Sequence, residues 1–238
     1  MLPFRFFSQW SSVVLRASLL ALIVALSCSD LRAASPKVRK AVEAYLEGDR
    51  ATPPPAGGIL FVGSSSIARW KTLDQDFPDR PIIGRGMGGS TIADCVEFID
   101  RIVLPYRPRQ VIFYAGENDI ARGRAPALVA DDFAQFCRLV HEVLPETRIV
   151  FISIKPSPAR RKHLSLFNEA NAVIANYCTT DERLSFVDVV PHMLDAMGEP
   201  RSELFSSDRL HMNTTGYEIW ARLVEPELLS LSAVVANR

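Results

Sequence analysis

The stretch "ILFVGSSSIARW", residues 59–70, places three consecutive serines directly after a short apolar segment. Ile, Leu, Phe and Val dominate residues 58–63, which is typical of a strand buried on both faces. A polar turn and a helical pattern follow, as expected of a strand that leads into a crossover helix. Serines at such a turn can cap the helix, or one of them can act as a nucleophile. This stretch therefore predicts an α/β protein and leaves the role of its serines open.

Similar apolar segments recur along the chain and alternate with helical patterns. The further strand-like segments cover residues 81–86, 111–116, 148–154 and 184–189. The helical patterns cover residues 36–47, 66–75, 90–103, 126–143, 160–179 and 214–231. Such alternation favours a parallel sheet between two layers of helices. The sequence therefore predicts an α/β fold, a three-layer α/β/α sandwich with a central five-stranded parallel sheet.

The composition is that of an ordinary globular protein. The chain of 238 residues is long enough for one domain with a sizeable core, and 48% of its residues are hydrophobic. Its 27 basic side chains balance 27 acidic ones. Because no net positive charge is available to attract phosphates, nucleic acid and anionic membrane surfaces are not expected partners.

The N-terminus differs from the rest of the chain. Arg5 and Arg16 precede an almost wholly apolar run over residues 17–29. A basic start, a short apolar run and small residues are typical of a secretory signal peptide, whereas a membrane span needs about 20 apolar residues. We expect residues 1–33 to be a signal peptide cleaved near residue 27 or 33. The mature protein is then exported to the periplasm or secreted, without a membrane span.

Two alternatives to a cleaved signal peptide remain open, and the rest of the chain is expected to consist of two parts. The N-terminus could remain as an uncleaved membrane anchor, and Cys28 is a weak candidate for lipid attachment. Beyond the signal peptide, residues 34–57 are expected to form an N-terminal helix and a Pro/Gly-rich linker, followed by one domain over residues 58–238.

The remaining cysteines, Cys95, Cys137 and Cys178, are widely spaced and odd in number. They form no Cys-x-x-Cys pattern of the kind that binds metals, and an odd number does not suit a disulfide framework. Each lies in an apolar helical context, so buried thiols that pack as small hydrophobic residues are favoured.

Chemically versatile residues follow the predicted strands. The serines follow the first strand, "GRGMGGST" (84–91) follows the second and "AGEND" (115–119) follows the third, while "SSDRLHMN" (206–213) precedes the last helix. Ligands of parallel sheets bind beyond the carboxyl ends of the strands, so these segments are expected to converge. Each segment alone could be a helix cap, a tight turn or a structural histidine. Their convergence on one edge favours a functional site.

The types of residue at this edge fit acyl transfer. A hydroxyl nucleophile needs a base, and the base needs an orienting partner; Asp208 and His211 stand three residues apart, so one turn can present both side chains to one face. Glycine lets a backbone N–H group approach a ligand closely, and an Asn amide supplies a second donor for an oxyanion. The other histidines, at positions 141, 163 and 192, lack an aspartate three residues earlier.

From about Ile59 to Tyr217 these segments resemble those of the SGNH hydrolases, also called GDSL-type esterases and lipases. The resemblance implies a flavodoxin-like fold. It implies that Ser65 is the nucleophile, that Asp208 and His211 complete the triad, and that the N–H groups of Ser65 and Gly89 and the amide of Asn118 form the oxyanion hole. Ser64 stands where the family usually has Asp, which removes no catalytic atom. The Gly-x-Ser-x-Gly elbow of another serine hydrolase fold does not fit, because Ile67 occupies its second Gly position.

The function implied by the resemblance is that of an exported serine esterase that hydrolyses short-chain acyl esters. Its substrate would be a small-molecule or saccharide acyl ester, and no cofactor or metal is implied. Two alternatives remain open. One is O-acetyl transfer or deacetylation on a cell-envelope or plant polysaccharide, and the other is a non-catalytic carbohydrate-binding module. Arg85 and Glu117 flank the predicted site and could tune its polarity.

Overall fold

The computed structural model of the protein describes residues 34–230. Its central sheet contains five parallel strands in the order β2-β1-β3-β4-β5. The strands are β1 (Ile59–Gly63), β2 (Ile82–Gly86), β3 (Gln110–Tyr114), β4 (Arg148–Ile152) and β5 (Leu184–Val187). This order is that of flavodoxin-like folds, so the predicted α/β/α sandwich with a five-stranded parallel sheet is confirmed.

Helices cover both faces of the sheet. They are α1 (Pro36–Ala51), α2 (Ser65–Ala68), α3 (Leu73–Asp76), α4 (Ile92–Glu97), α5 (Ile99–Ile102), α6 (Glu117–Ala121), α7 (Pro126–Val143), α8 (Leu164–Cys178), α9 (Val190–Met193) and α10 (Thr214–Val224). Single turns of 3₁₀ helix occupy Leu104–Tyr106, Ser202–Leu204 and Glu225–Glu227, and a longer one occupies Pro158–His163. None of the helices within residues 34–230 is long and apolar enough to cross a membrane.

Alternate residues of the strands contribute to two separate hydrophobic cores, because successive side chains of a strand point to opposite faces. Leu60 and Val62 of β1 pack into the core under α1, α4, α5, α7 and α8. Ile59 and Phe61 pack into the other core, under α2, α3, α9 and α10. All four side chains are fully buried, which explains the continuous apolar run of this strand.

Helix α1 belongs to the first of these cores. Its Val38 and Val42 are fully buried there, and the helix extends to Ala51 rather than ending at residue 47. Cys95, Cys137 and Cys178 are buried with free thiols, as expected of small apolar residues. The predicted signal peptide over residues 1–33, with Cys28, lies outside the described residues and stays a prediction.

The helix expected over 90–103 is divided into α4 and α5, and two further predicted helices differ from the observed ones for local reasons. The helix expected over 66–75 is two short helices, because the chain turns inward after Ala68 and places the Trp70 ring 5.3 Å from that of Tyr217 and 5.7 Å from that of Phe61. The helix expected over 214–231 ends at Val224. Pro226 lacks a backbone N–H and cannot continue an α-helix, so a 3₁₀ turn follows.

The end of β1 determines where the turn with the three serines begins. Gly63 has a φ of +143°, and a Cβ at this residue would lie 1.8 Å from the carbonyl oxygen of Tyr114 on β3. The N–H of Ser64 donates a hydrogen bond of 2.8 Å to the same carbonyl. A glycine is required here because the serine turn begins in close contact with the neighbouring strand.

Replacing Gly63 by Ala should lower the free energy of unfolding by more than about 3 kcal/mol, since the methyl group meets backbone that cannot move aside. Gly48→Ala is the control, because this glycine lies in α1 and no atom comes within 4 Å of the place that its Cβ would occupy. The control should raise the stability by about 0.5–1 kcal/mol. Urea denaturation of both variants checks this, and equal small effects would contradict the requirement for glycine.

Candidate active site

The three serines occupy different environments at the start of α2. Ser64 precedes the helix in an extended conformation, as its N-cap, and both Ser64 and Ser66 are 2% exposed. The carbonyl of Ser66 accepts a hydrogen bond of 2.9 Å from the Tyr217 hydroxyl. Ser65, the first residue of the helix, is partly exposed. Ser66 neither caps nor begins the helix, because Ser64 and Ser65 hold those positions.

The hydroxyl of Ser65 faces an imidazole. Nε2 of His211 lies 3.0 Å from Oγ of Ser65, and Nδ1 lies 2.6 Å from Oδ2 of Asp208. With the Nδ1 proton donated to the carboxylate, Nε2 presents its lone pair to the serine hydroxyl. The structure thus brings Ser65, His211 and Asp208 together in one hydrogen-bonded chain.

The loop that carries the histidine is closed by short-range hydrogen bonds. Oδ1 of Asp208 accepts the N–H groups of Leu210 at 3.0 Å and His211 at 2.9 Å. The N–H of Ser206 donates to the His211 carbonyl, and Arg209 adopts a left-handed conformation with a φ of 57°. These contacts explain why an aspartate three residues before the histidine can reach its ring.

The electrostatics of this loop keep Asp208 ionised. Its hydrogen bond to the imidazole of His211 holds the pKa of the carboxyl well below its ordinary value. Nη1 of Arg69, the residue that ends α2, lies 3.9 Å from Oδ2 of the same carboxylate. The carboxylate side chain is 41% exposed, so the outer end of the triad is open to solvent.

The loops after β2 and β3 lie against the serine turn. The N–H of Met87 and the hydroxyl of Ser90 both approach the Gly63 carbonyl, at 2.7 and 3.3 Å. Gly89, between them, has a φ of +85°. Nδ2 of Asn118 donates to the carbonyl of Ser90 at 3.0 Å. The structure therefore places the predicted oxyanion-hole residues at one edge of the sheet: Ser65 and Asn118 in the first turns of α2 and α6, and Gly89 on the loop after β2.

A buried ion pair beside this site was not predicted. Lys155, just beyond β4, is fully buried, and its Nζ lies 3.0 Å from Oε2 of Glu117. The same Nζ donates to the carbonyl of Leu210 at 2.9 Å, next to the histidine. The Tyr114 hydroxyl donates to Glu117 at 3.0 Å. Lys155 thereby connects the loops after β3 and β4 with the histidine loop.

The sequence contained one indication of this pair. A lone lysine follows the apolar segment "RIVFISI", at a point where the chain is expected to be buried. Its partner could not be chosen from the sequence, because several carboxylates follow other strands. Arg85, in contrast, does not reach the site. It bonds to Asp49 and Tyr106 and ties α1 to the sheet.

Asp119, next to Asn118, is a second buried carboxylate. It is 2% exposed, and its Oδ1 accepts the N–H of Ile92 at 3.0 Å, at the start of α4. Its Oδ2 has no hydrogen-bond partner within the described part of the chain. Burial raises the pKa of this carboxyl to about 6, because the charged form is poorly solvated there.

Clefts also occur away from Ser65 and His211 in the described part of the chain. Two clefts of about 310 and 250 Å³ lie elsewhere, one between α1 and Tyr106 and the other between α2, α3 and β2, and neither is lined by Ser65 or His211. Within residues 34–230 no group of three or more His, Cys, Asp or Glu side chains is arranged to hold a metal ion.

Comparison with known proteins identifies a family that matches the sequence. The model of the GDSL-like Lipase/Acylhydrolase family matches residues 48–219. None of the curated proteins matches the chain.

Solved structures share the fold at low sequence identity. A protein from Streptococcus pneumonia described as a platelet activating factor is 18% identical, with a TM-score of 0.72 over 90% of this chain and 99% of its own. A GDSL-like lipase from Bacteroides thetaiotaomicron is 21% identical, with a TM-score of 0.69 over 78% and 96%. An acetylxylan esterase from Geobacillus stearothermophilus is 13% identical, with a TM-score of 0.59 over 74% and 97%.

The buried carboxylate of Asp119 generates a prediction about pH. Its pKa of about 6 in the folded protein exceeds the ordinary value of 3.8. Between these values the unfolded chain releases the proton and the folded chain keeps it, so this group destabilises the fold progressively as pH rises from about 4 to 6. The loss is at most about 3 kcal/mol.

Asp119→Asn removes this titration and should gain up to about 3 kcal/mol of unfolding free energy relative to wild type between pH 4 and 7.5. Urea denaturation at both pH values measures the change. Asp74→Asn, at an exposed position, controls for the loss of one negative charge. A difference between Asp119→Asn and wild type that is the same at both pH values would contradict the raised pKa.

Proposed function

The chain belongs to the GDSL-like lipase/acylhydrolase family, and on that premise we propose that it is a serine esterase that cleaves short-chain carboxylic esters. The observation that supports this most directly is the hydrogen-bonded chain of Ser65, His211 and Asp208, with contacts of 3.0 and 2.6 Å. Binding alone does not require a base oriented by a carboxylate and in contact with a hydroxyl.

The first half of the proposed reaction acylates the serine. Oγ of Ser65 attacks the ester carbonyl while its proton passes to Nε2 of His211, and Asp208 stabilises the imidazolium that forms. The tetrahedral intermediate collapses, the alcohol takes the proton from His211 and leaves, and the acyl group stays on Ser65. In the second half a water molecule repeats these steps, which releases the acid and regenerates the serine hydroxyl.

In this proposal three N–H donors stabilise the negative charge that develops on the carbonyl oxygen. The N–H of Ser65 stands at the first position of α2, where an amide has no acceptor within its own helix. The N–H of Gly89 is the second donor. Asn118 uses one N–H of its amide on the Ser90 carbonyl, and an amide nitrogen carries two, so one remains for the substrate.

The exposure of the site to solvent favours substrates with a small acyl group and leaves room for a bulky alcohol part. The Asp208 side chain is 41% exposed, and neither of the clefts described above leads from Ser65 into the core. An acetylated saccharide is one substrate that fits, and the fold is shared with an acetylxylan esterase. We also propose export, on the N-terminal sequence alone.

The decisive experiment is reaction with a fluorophosphonate probe together with hydrolysis of 4-nitrophenyl acetate. Wild type should be labelled and should turn over the ester, and Ser65→Ala should lose both activities because the attacking oxygen is gone. Ser66→Ala is the matched control and should keep both. Failure of wild type to react, or loss of labelling in Ser66→Ala alone, would overturn the proposal.

Asn118→Ala separates charge stabilisation from proton transfer. Because the Asn118 amide acts on charge that appears only in the transition state, kcat should fall about 10²–10³-fold with little change in KM. The variant should still be labelled slowly, since Ser65 and His211 remain. Asn168→Ala, on the exposed side of α8, is the control. An effect confined to KM would make Asn118 a substrate-binding residue instead.

A further inference from the structure

Two arginines lie against the loops that hold the predicted oxyanion donors. Nη2 of Arg122 donates to the carbonyl of Gly89 at 2.7 Å. Nη2 of Arg160 lies 3.4 Å from Oδ1 of Asn118. Each guanidinium carries five N–H groups, so most donors of this arginine pair, Arg122 and Arg160, remain available to a ligand. Both guanidinium groups therefore contact residues that are predicted to bind the carbonyl oxygen of an ester.

Some arginines of the protein are neutralised by carboxylates. Within residues 34–230 the ion pairs away from Asp208 that contain an arginine are Arg39–Glu97, Arg80–Glu225, Arg85–Asp49, Arg101–Glu43, Arg124–Asp132, Arg161–Glu199, Arg183–Asp181 and Arg201–Glu203. Neither Arg122 nor Arg160 forms an ion pair in this part of the chain, and the same is true of Arg138 and Arg222. What distinguishes the arginine pair is its contacts with Gly89 and Asn118.

The carboxylates near the site are already engaged. Glu117 is buried and bonded to Lys155. Asp208 accepts from the imidazole of His211 and lies 3.9 Å from Arg69. Asp119 is buried behind Asn118, on the N–H of Ile92. None of these three carboxylates forms an ion pair with Arg122 or Arg160.

A further cation extends over the glycine loop. The end of the Lys37 side chain lies 3.2–3.4 Å from the place that a Cβ on Gly88 would occupy. Arg209, beside Asp208, is exposed and also forms no ion pair in residues 34–230. The whole chain has no net charge, so this excess of positive charge is local to the site. Such a local field attracts anions and orients them as they approach.

We propose that the arginine pair, Arg122 and Arg160, selects ester substrates that carry an anionic group, such as a carboxylate, a few bonds from the scissile carbonyl. This inference rests on the proposed esterase function and names the substrate class of the same site. A carboxylate fits a guanidinium because two parallel N–H donors can meet its two oxygens. Such an anion would supply the carboxylate partner that Arg122 and Arg160 lack within residues 34–230.

Matched esters test the proposal on purified wild-type protein. On the acyl side, the monoanionic 4-nitrophenyl hemisuccinate is compared with its neutral methyl ester. On the alcohol side, 4-acetoxybenzoate is compared with methyl 4-acetoxybenzoate. For at least one pair, kcat/KM should favour the anion by about tenfold or more at low ionic strength. The preference should shrink as salt rises from about 0.02 to 0.5 M, because added ions screen the attraction.

Arginine variants assign the preference to the pair. Arg122→Gln and Arg160→Gln keep an amide donor for Gly89 and Asn118 but remove the charge. Each should lower kcat/KM for the favoured anion about five- to tenfold, and the double variant should treat the anionic and neutral esters alike. Any loss on the neutral esters should be smaller than this, so that the ratio of the anionic to the neutral kcat/KM falls in each variant. Arg161→Gln, whose guanidinium pairs with Glu199, is the control and should leave the preference intact.

The outcomes separate this inference from the esterase function. Hydrolysis of the neutral esters with no preference for either anion would overturn the inference and leave the esterase proposal standing. Equal losses on neutral and anionic esters in the arginine variants would also overturn it, because the arginines would then act only by positioning Asn118. Absence of hydrolysis of every ester, with no labelling of Ser65, would remove the proposed function itself.

Discussion

The buried contact between Lys155 and Glu117 is the interaction on which the site depends. A lysine that is fully buried is tolerated only where its charge is met, and here a carboxylate at 3.0 Å and the Leu210 carbonyl at 2.9 Å meet it. Glu117 directly precedes Asn118, and Leu210 directly precedes His211. One ammonium group therefore fixes the distance between the predicted oxyanion donor and the predicted base, although neither takes part in the contact.

The fold could be predicted largely from the sequence because its strands are buried on both faces. Continuous apolar segments such as residues 59–62 leave few alternatives to a parallel sheet covered by helices. Helix ends were less predictable. The break after Ala68 depends on the packing of Trp70 against Phe61 and Tyr217, which are near in space and far apart along the chain. Local periodicity contains no information about such contacts. The end of α10 differs, because Pro226 is a local signal that the expected helix over 214–231 did not take into account.

The site was predictable where chemistry and local spacing coincide. Asp208 and His211 lie three residues apart, and their contact needs only one tight loop, so the sequence alone suggested it. The choice of Ser65 among three serines required the resemblance to a family, and the structure adds that Ser64 and Ser66 are buried. The contact of Lys155 with Glu117 could not be predicted, because it depends on which loops meet at the edge of the sheet.

The contact between Ser65 and His211 joins residues that are 146 positions apart, one at the end of the first strand and the other just before the last helix. Almost the entire domain lies between them and must be ordered before the two side chains can meet. Contacts of such long range form late and slowly during folding, because a large loop must close first. During synthesis Ser65 leaves the ribosome long before His211 does. The contact between them can therefore form only after the C-terminal segment docks, and its formation would report the completion of folding rather than its onset.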